Sequence, residues 1–290
     1  MEDRRGQSGG GLGGGGLPIP MGKGAGGLGI IIVVVLALLF GGNIVGGGGS
    51  SGPLNPGGID ETVPQADSGT QPGTQTGTTK DQAFEFAKFV SQDAQDMWTQ
   101  IFQQSGKAYT RAPVVTFTSG TVTGCGPASS STGPFYCPVD HKVYLDLSFF
   151  RELSKRFGAP GDFATAYVIT HEIGHHIQSE LGIEEQIRQK QQDDPSHANR
   201  YSVQLELQAD CFAGVWGHHA GQRNLLDKGD IEEGINAAGA VGDDRLQGRS
   251  GAVRPESFTH GTSAQRAQWF RRGLESGKPS DCDTFAGGGR

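Results

Sequence analysis

The stretch HEIGHH, His171 to His176, places three imidazoles and a carboxylate within six residues of an apolar run. His171 and His175 are four apart, so on a helix they stand one turn apart on one face and can reach a single ion. Glu172 points about 100° away from His171, close enough to act on a water activated by that ion without ligating it. His176 falls off the ligand face and reads as a packed or supporting histidine.

Zinc that activates water needs three protein ligands and an open fourth position, so a third donor must come from elsewhere in the chain. The metzincin pattern fails, because the positions it requires as Gly and His are Gln178 and Leu181. QLELQADCFAGVWG, Gln204 to Gly217, supplies Glu206 and, one turn later, Asp210 among large apolar residues. Glu206 could complete a His-His-Glu site, and Asp210 could accept the free ring N–H of a ligand histidine. The plain alternative is an exposed acidic face. Glu180, Glu184 and Glu185 are rival donors, but they lie too close along the chain to fold back easily. A hydrolytic reaction also needs a donor for the oxyanion, and His260 in FTHGTS is the leading candidate, ahead of His218, His219 and Tyr167.

These residues need a scaffold. DQAFEFAKFVSQDAQDMWTQIF repeats Phe86, Phe89, Val90, Met97, Ile101 and Phe102 at helical spacing, which predicts an opening amphipathic helix from Asp81. PVVTFTSG and HKVYLDLSFF are strand-like, the second alternating around Val143, Leu145 and Leu147. A helix is expected around Phe149 to Phe157, then one from Asp162 through HEIGHH that closes at Gly182. Further helices are expected near Ala198 to His219, Gly229 to Val241 and Ser263 to Leu274. Short strands ahead of many helices give an α+β class, with the small sheet beside the metal-binding helix. Lys142 to Leu147 is the expected edge on which an extended peptide would add as a strand.

Before Asp81 the chain is different. Met1 to Gly27 is Gly-rich and mildly basic and cannot bury a core. Leu28 to Val45 is free of charge over 18 residues, about 27 Å as a helix against a hydrocarbon thickness of about 30 Å. It reads as a transmembrane anchor, with a cleaved signal peptide as the competing interpretation. Arg4, Arg5 and Lys23 precede it and Asp60, Glu61 and Asp67 follow it, so the positive-inside rule puts the N-terminus in the cytoplasm and the rest outside. Residues 46–80 are rich in Gly, Ser, Thr, Pro and Gln and read as a disordered linker, which leaves 81–290 as the folded domain.

The net charge of −7 and the lack of any Lys/Arg block argue against nucleic acid as a partner. Cys125, Cys137, Cys211 and Cys282 contain no C-x-x-C pair. In an oxidising compartment the shortest closure is Cys125–Cys137, leaving Cys211 with Cys282; in a reducing one all four would be buried thiols.

HEIGHH followed by ELQAD resembles the Glu-zincin metallopeptidases, in which an H-E-x-x-H helix precedes one carrying E-x-x-x-D. More closely, the chain resembles the bacterial "putative neutral zinc metallopeptidase" family of membrane-anchored proteins. The resemblance runs through EDRRG, the apolar segment, CGPASSSTGPFYCPVDHKVYLDLSFF, both zinc motifs, ESFTHGTSAQRAQWFRRGLESG and the closing DCDTF. It implies a zincin-like domain in which one Zn2+ is held by His171, His175 and Glu206, with Glu172 as base and Asp210 orienting a ligand. The expected activity is hydrolysis of extracytoplasmic peptides or proteins at the bacterial cell membrane. A scaffolding protein that keeps zinc for stability, or a zinc hydrolase of a non-peptide amide, would carry many of the same residues; the intact Glu172 speaks against the scaffold.

Overall fold

A computed structural model describes residues 1–6, 75–130, 132–150, 162–248 and 253–286. The apolar segment Leu28 to Val45 and most of the expected linker lie outside these residues. Among the described residues, no helix is long and apolar enough to cross a membrane.

Strand β1 is Glu2–Asp3 and helix α1 is Gln75–Gln104, followed by β2 Val114–Phe117, β3 Gly120–Thr123, β4 Gly126–Ser129, β5 Phe135–Cys137 and β6 Lys142–Asp146. The helices that follow are α2 Asp162–Glu180, α3 Ile183–Asp193, α4 Ala198–Gln222, α5 Asp230–Ala240, α6 Asp243–Gly248 and α7 Ser263–Ser276. The domain is therefore α+β and mostly helical, with a small sheet. The helix expected around Phe149 starts directly after β6, and only its residues 147–150 are described.

Four strands form one sheet in the order β1-β2-β6-β5, parallel except for the antiparallel pair β5–β6; β3 and β4 make a separate hairpin. Alternate side chains divide between the two faces. Val114, Tyr136, Val143 and Leu145 enter the helical core, whereas Val115, Phe117, Phe135, Cys137 and Tyr144 form a smaller cluster with Ala128 of the hairpin. Phe135 stacks on Tyr144, its register partner, with ring centroids 5.1 Å apart.

Three expectations change. The opening helix begins at Gln75, ahead of Asp81, and Phe89 on it is exposed while Ala87, Val90, Ala94, Met97, Trp98 and Phe102 make the buried stripe. The strand Lys142–Asp146 is not an edge, because β2 and β5 pair with its two sides. The edge is β5, in a Gly/Pro/Ser-rich segment that local composition marks as a loop and that stacking on Tyr144 holds in the sheet. Finally, the first residues are not a bare tail: Glu2 and Asp3 pair in parallel with Val115 and Thr116.

Two close helix crossings organise the rest. A Cβ on Gly174, inside HEIGHH, would lie 3.0 Å from the Ala209 carbonyl oxygen, so glycine there lets α2 and α4 approach at the level of the motif. Farther along α4, Gly214 meets α7 at Gly273, where an added Cβ would fall 1.9 Å from the Cys211 carbonyl oxygen. The disulfide Cys211–Cys282 closes this crossing, and Cys125–Cys137 ties β5 to the end of the hairpin.

Candidate metal centre

Helix α2 is buried along nearly its whole length, as a central core helix must be, and that places His171, Glu172 and His176 out of bulk solvent. Alanine, phenylalanine and isoleucine on its other faces fill the core on both sides. Helix α4 crosses it at Gly174 and brings Glu206 over the two histidines. One ligand atom from each of His171, His175 and Glu206 lies within 4.8 Å of the others. The Nε2 atom of His171 is 3.2 Å from Glu206 Oε2, and that of His175 is 3.5 Å from Glu206 Oε1.

The three donor atoms are thus close enough to share one ion at the usual Zn–N and Zn–O distance of about 2.0–2.1 Å. Hydrogen bonding fixes the tautomers accordingly. His171 Nδ1 lies 2.9 Å from Asp210 Oδ1, an acceptor, so its proton sits on Nδ1 and Nε2 faces Glu206. For His175 the partner is Gln178 Oε1 at 2.9 Å, while the Gln178 amide donates to the Leu205 carbonyl and to Gln208 Oε1. Gln178 holds the position where a metzincin has glycine, and here it orients a histidine instead. The sequence contained no periodic signal for that role.

Asp210 is fully buried and accepts three further hydrogen bonds: from the Tyr167 hydroxyl at 2.6 Å, from Arg266 Nε at 2.8 Å and from Arg266 Nη2 at 2.9 Å. Arg266 is buried one turn into α7, whose start is set by a capping box between Thr262 and Gln265. Its Nη2 also approaches Glu206 Oε2 at 3.5 Å. Tyr167, one of the candidate oxyanion donors, has its hydroxyl committed to Asp210 instead, and Arg266 becomes meaningful only when α7 flanks Asp210.

The charges are strongly coupled. Burial opposes ionisation of Glu206, but His260, His175 and His171 hold its carboxyl well below the usual range. Burial likewise opposes the charge on Asp210, and Arg266 and His171 outweigh it. Among the protein's own charges His171 is raised to about 10, burial being overcome by Asp210 and Glu206, whereas burial lowers His175. Glu172 is pushed up to about 7, mainly by burial and also by the Glu206 charge. With Glu172 ionised, Glu172, Glu206 and Asp210 face one guanidinium, so a divalent cation brings the centre to neutrality. The residues present therefore fit zinc in donor type, spacing and charge.

Glu172 Oε2 accepts the backbone N–H of Tyr136 at 2.9 Å, which joins the carboxylate to edge strand β5. His176 lies off the donor set, its Nε2 2.6 Å from the Thr110 carbonyl and its ring against Tyr136 and Tyr109. His260 is held by Asp243, a residue that motif reading passes over. Asp243 Oδ2 accepts the backbone N–H groups of Thr259, His260 and Gly261, and its Oδ1 is 3.3 Å from His260 Nδ1. Asp243 thus fixes both the backbone and the ring of His260, which is near enough to Glu206 to be among the groups that hold its carboxyl low. His218 and His219 are elsewhere, bound to the carbonyls of Leu274 and Gly277 at the end of α4. Glu180 is also drawn away, accepting the Thr110 N–H.

A two-helix His-His-Glu centre with an adjacent unligated glutamate is the donor arrangement of a metal-dependent hydrolase. The chain matches the family described as "Putative neutral zinc metallopeptidase" over residues 1–285, and it belongs to that family. Among its relatives is "Uncharacterized protein YpfJ" of Escherichia coli (strain K12), 47% identical over 288 residues that cover 98% of this chain and 95% of that protein. "Uncharacterized protein Rv2575" of Mycobacterium tuberculosis (strain ATCC 25618 / H37Rv) is 46% identical over 191 residues, covering 61% of this chain and 64% of that protein. No solved structure matches the chain.

Proposed function

We propose that this chain is a zincin-like, zinc-dependent endopeptidase of extracytoplasmic peptides or proteins, attached to the bacterial membrane through its apolar segment. The observation that carries the reading is the placement of Glu172. It stands beside the His171–His175–Glu206 donor set with one carboxylate oxygen secured by the Tyr136 N–H. The two disulfides support an oxidising compartment.

In this reading His171, His175 and Glu206 hold the ion, which when bound would supply Lewis-acid polarisation of the scissile carbonyl and acidify water. Glu172 takes the proton of the attacking water on the oxygen that Tyr136 leaves free, then delivers it to the departing amine. Asp210 keeps the His171 tautomer fixed, and Arg266 and Tyr167 keep Asp210 ionised and immobile. His260, braced by Asp243, donates to the oxyanion as the carbonyl becomes tetrahedral. A substrate approaches from the β5 side, where the Tyr136 N–H meets Glu172.

The test is the purified chain incubated with a random-peptide pool beside Glu172→Gln, with metal content measured on both. One zinc per chain with cleavage by the parent and none by the variant supports the proposal. Stoichiometric zinc with no Glu172-dependent cleavage would move the reading to a zinc-stabilised scaffold, and no bound metal would refute it.

A further inference from the structure

We infer that His176 is a positioning residue for Glu172, acting through Tyr136. This role rests on the reading of Glu172 as the base and gives HEIGHH a second task. Glu172 and His176 are four residues apart, so they share a face of α2 beside the one that carries His171 and His175. Both of them hold Tyr136. Glu172 Oε2 accepts its backbone N–H at 2.9 Å, and His176 Nδ1 lies 3.3 Å from its hydroxyl. The motif is thus two interleaved pairs, one for an ion and one for a strand.

The hydrogen bonds run in one direction. His176 Nε2 donates to the Thr110 carbonyl, 2.6 Å away, which leaves Nδ1 of the neutral ring as an acceptor for the Tyr136 O–H. The Tyr136 oxygen in turn accepts from His141 Nδ1 at 3.0 Å, in the turn between β5 and β6. Thr110 is itself fixed, because Glu180, one helical turn beyond His176, takes its N–H at 3.0 Å. The strand offers Glu172 no substitute partner. Val143, the register partner of Tyr136, sends its N–H to the Pro113 carbonyl on the far side, so the Tyr136 N–H turns away from β6. The next positions on that side, Pro134 and Pro138, have no N–H. A shift of Tyr136 therefore removes the contact that decides which oxygen of Glu172 is free.

The test uses the full chain with Tyr136→Phe, which removes one oxygen and keeps the ring, and with His176→Phe. Zinc content should match the parent in both, while kcat on the peptide pool should fall by about 10–100-fold, the effect of a misplaced group, with KM little changed. The double variant should lose no more than the worse single one, because both act through one contact. Parent kcat in either variant, or losses that multiply in the double, would overturn the inference. Amide exchange followed by NMR on zinc-free protein decides the point without turnover, and so separately from the peptidase reading. The amide of residue 136 should exchange at least about tenfold faster in both variants than in the parent, while that of Val143 is unchanged. An unchanged rate at residue 136, or one that rises only in step with Val143, would overturn the inference even in a chain that cleaves peptides. The expected exchange pattern in a parent that cleaves nothing would uphold the contact and count against the peptidase reading alone.

Discussion

The Arg266 guanidinium grips both oxygens of Asp210, Nε to Oδ2 at 2.8 Å and Nη2 to Oδ1 at 2.9 Å, and through Asp210 it sets the ring of His171. Removing the cation strands a fully buried carboxylate. Arg266→Met should therefore destabilise the protein by about 3–5 kcal/mol, the cost of an uncompensated buried charge. Urea unfolding of the two proteins measures it; a loss below 1 kcal/mol would mean that Arg266 is not the partner holding Asp210.

Asp210→Asn is the milder probe of the same link. The amide keeps the shape but not the charge that the His171 Nδ1 proton faces. Zinc affinity, measured by competition with a chromophoric chelator, should fall about 10–100-fold while the helical circular dichroism is retained. The same assay on His176→Phe should show little change, since His176 bonds the Thr110 carbonyl and not the donor set.

The pH dependence has opposite signs for the stripped and the loaded protein. In chelator-treated protein the folded-state value of His171 is raised to about 10 from an ordinary 6.5. The stabilisation from its proton is fully present below pH 6.5 and is lost as pH rises through 10. Glu172, raised to about 7 from 4.5, acts in the same direction between those two values. The unfolding temperature of stripped protein should thus fall across the alkaline range. Zinc must displace the His171 proton, so its apparent affinity should rise with pH over the same window. A flat zinc affinity between pH 6.5 and 9 would contradict this.

His260→Phe and Asp243→Asn address the oxyanion. Both should lower kcat by about 10²–10³-fold, the range for losing one such donor, with bound zinc unchanged. Asp243 also receives three backbone N–H groups, so its variant should in addition loosen residues 259–261 in hydrogen exchange. Wild-type turnover in His260→Phe would remove the histidine from the mechanism.

Reduction should separate the two disulfides. On a chain-entropy account the 71-residue closure by Cys211–Cys282 stabilises by roughly 4 kcal/mol and the 12-residue closure by Cys125–Cys137 by roughly 3 kcal/mol. Paired serine variants, unfolded in urea, should rank in that order. Loss of Cys125–Cys137 should also reduce turnover more than zinc binding, because Cys137 belongs to the strand that positions Tyr136 against Glu172.

Local chemistry made much of this site legible. The four-residue spacing of His171 and His175, the glutamate between them and the Glu206–Asp210 turn are properties of single helices, and helical periodicity needs no tertiary information. Helices α2, α4, α5 and α7 were readable for the same reason, whereas the cysteine pairing was only the shortest closure open to an oxidised chain until the two disulfides showed it. The edge strand was not, since whether β5 or β6 lies outermost depends on which chain segment fills the remaining hydrogen bonds. Arg266, Tyr167, Gln178 and Asp243 acquire roles only across helix crossings or a folded loop, with partners 27 to 56 residues distant for Gln178, Tyr167 and Arg266. β1 is the extreme case: a two-residue strand has no periodicity to detect, and its partner lies more than a hundred residues away. The sequence by itself determined the donor types and the helices that carry them. Tertiary packing decided how those helices converge and which neighbours hold each ring and carboxylate, because contacts between distant segments follow from shape and burial across the whole domain.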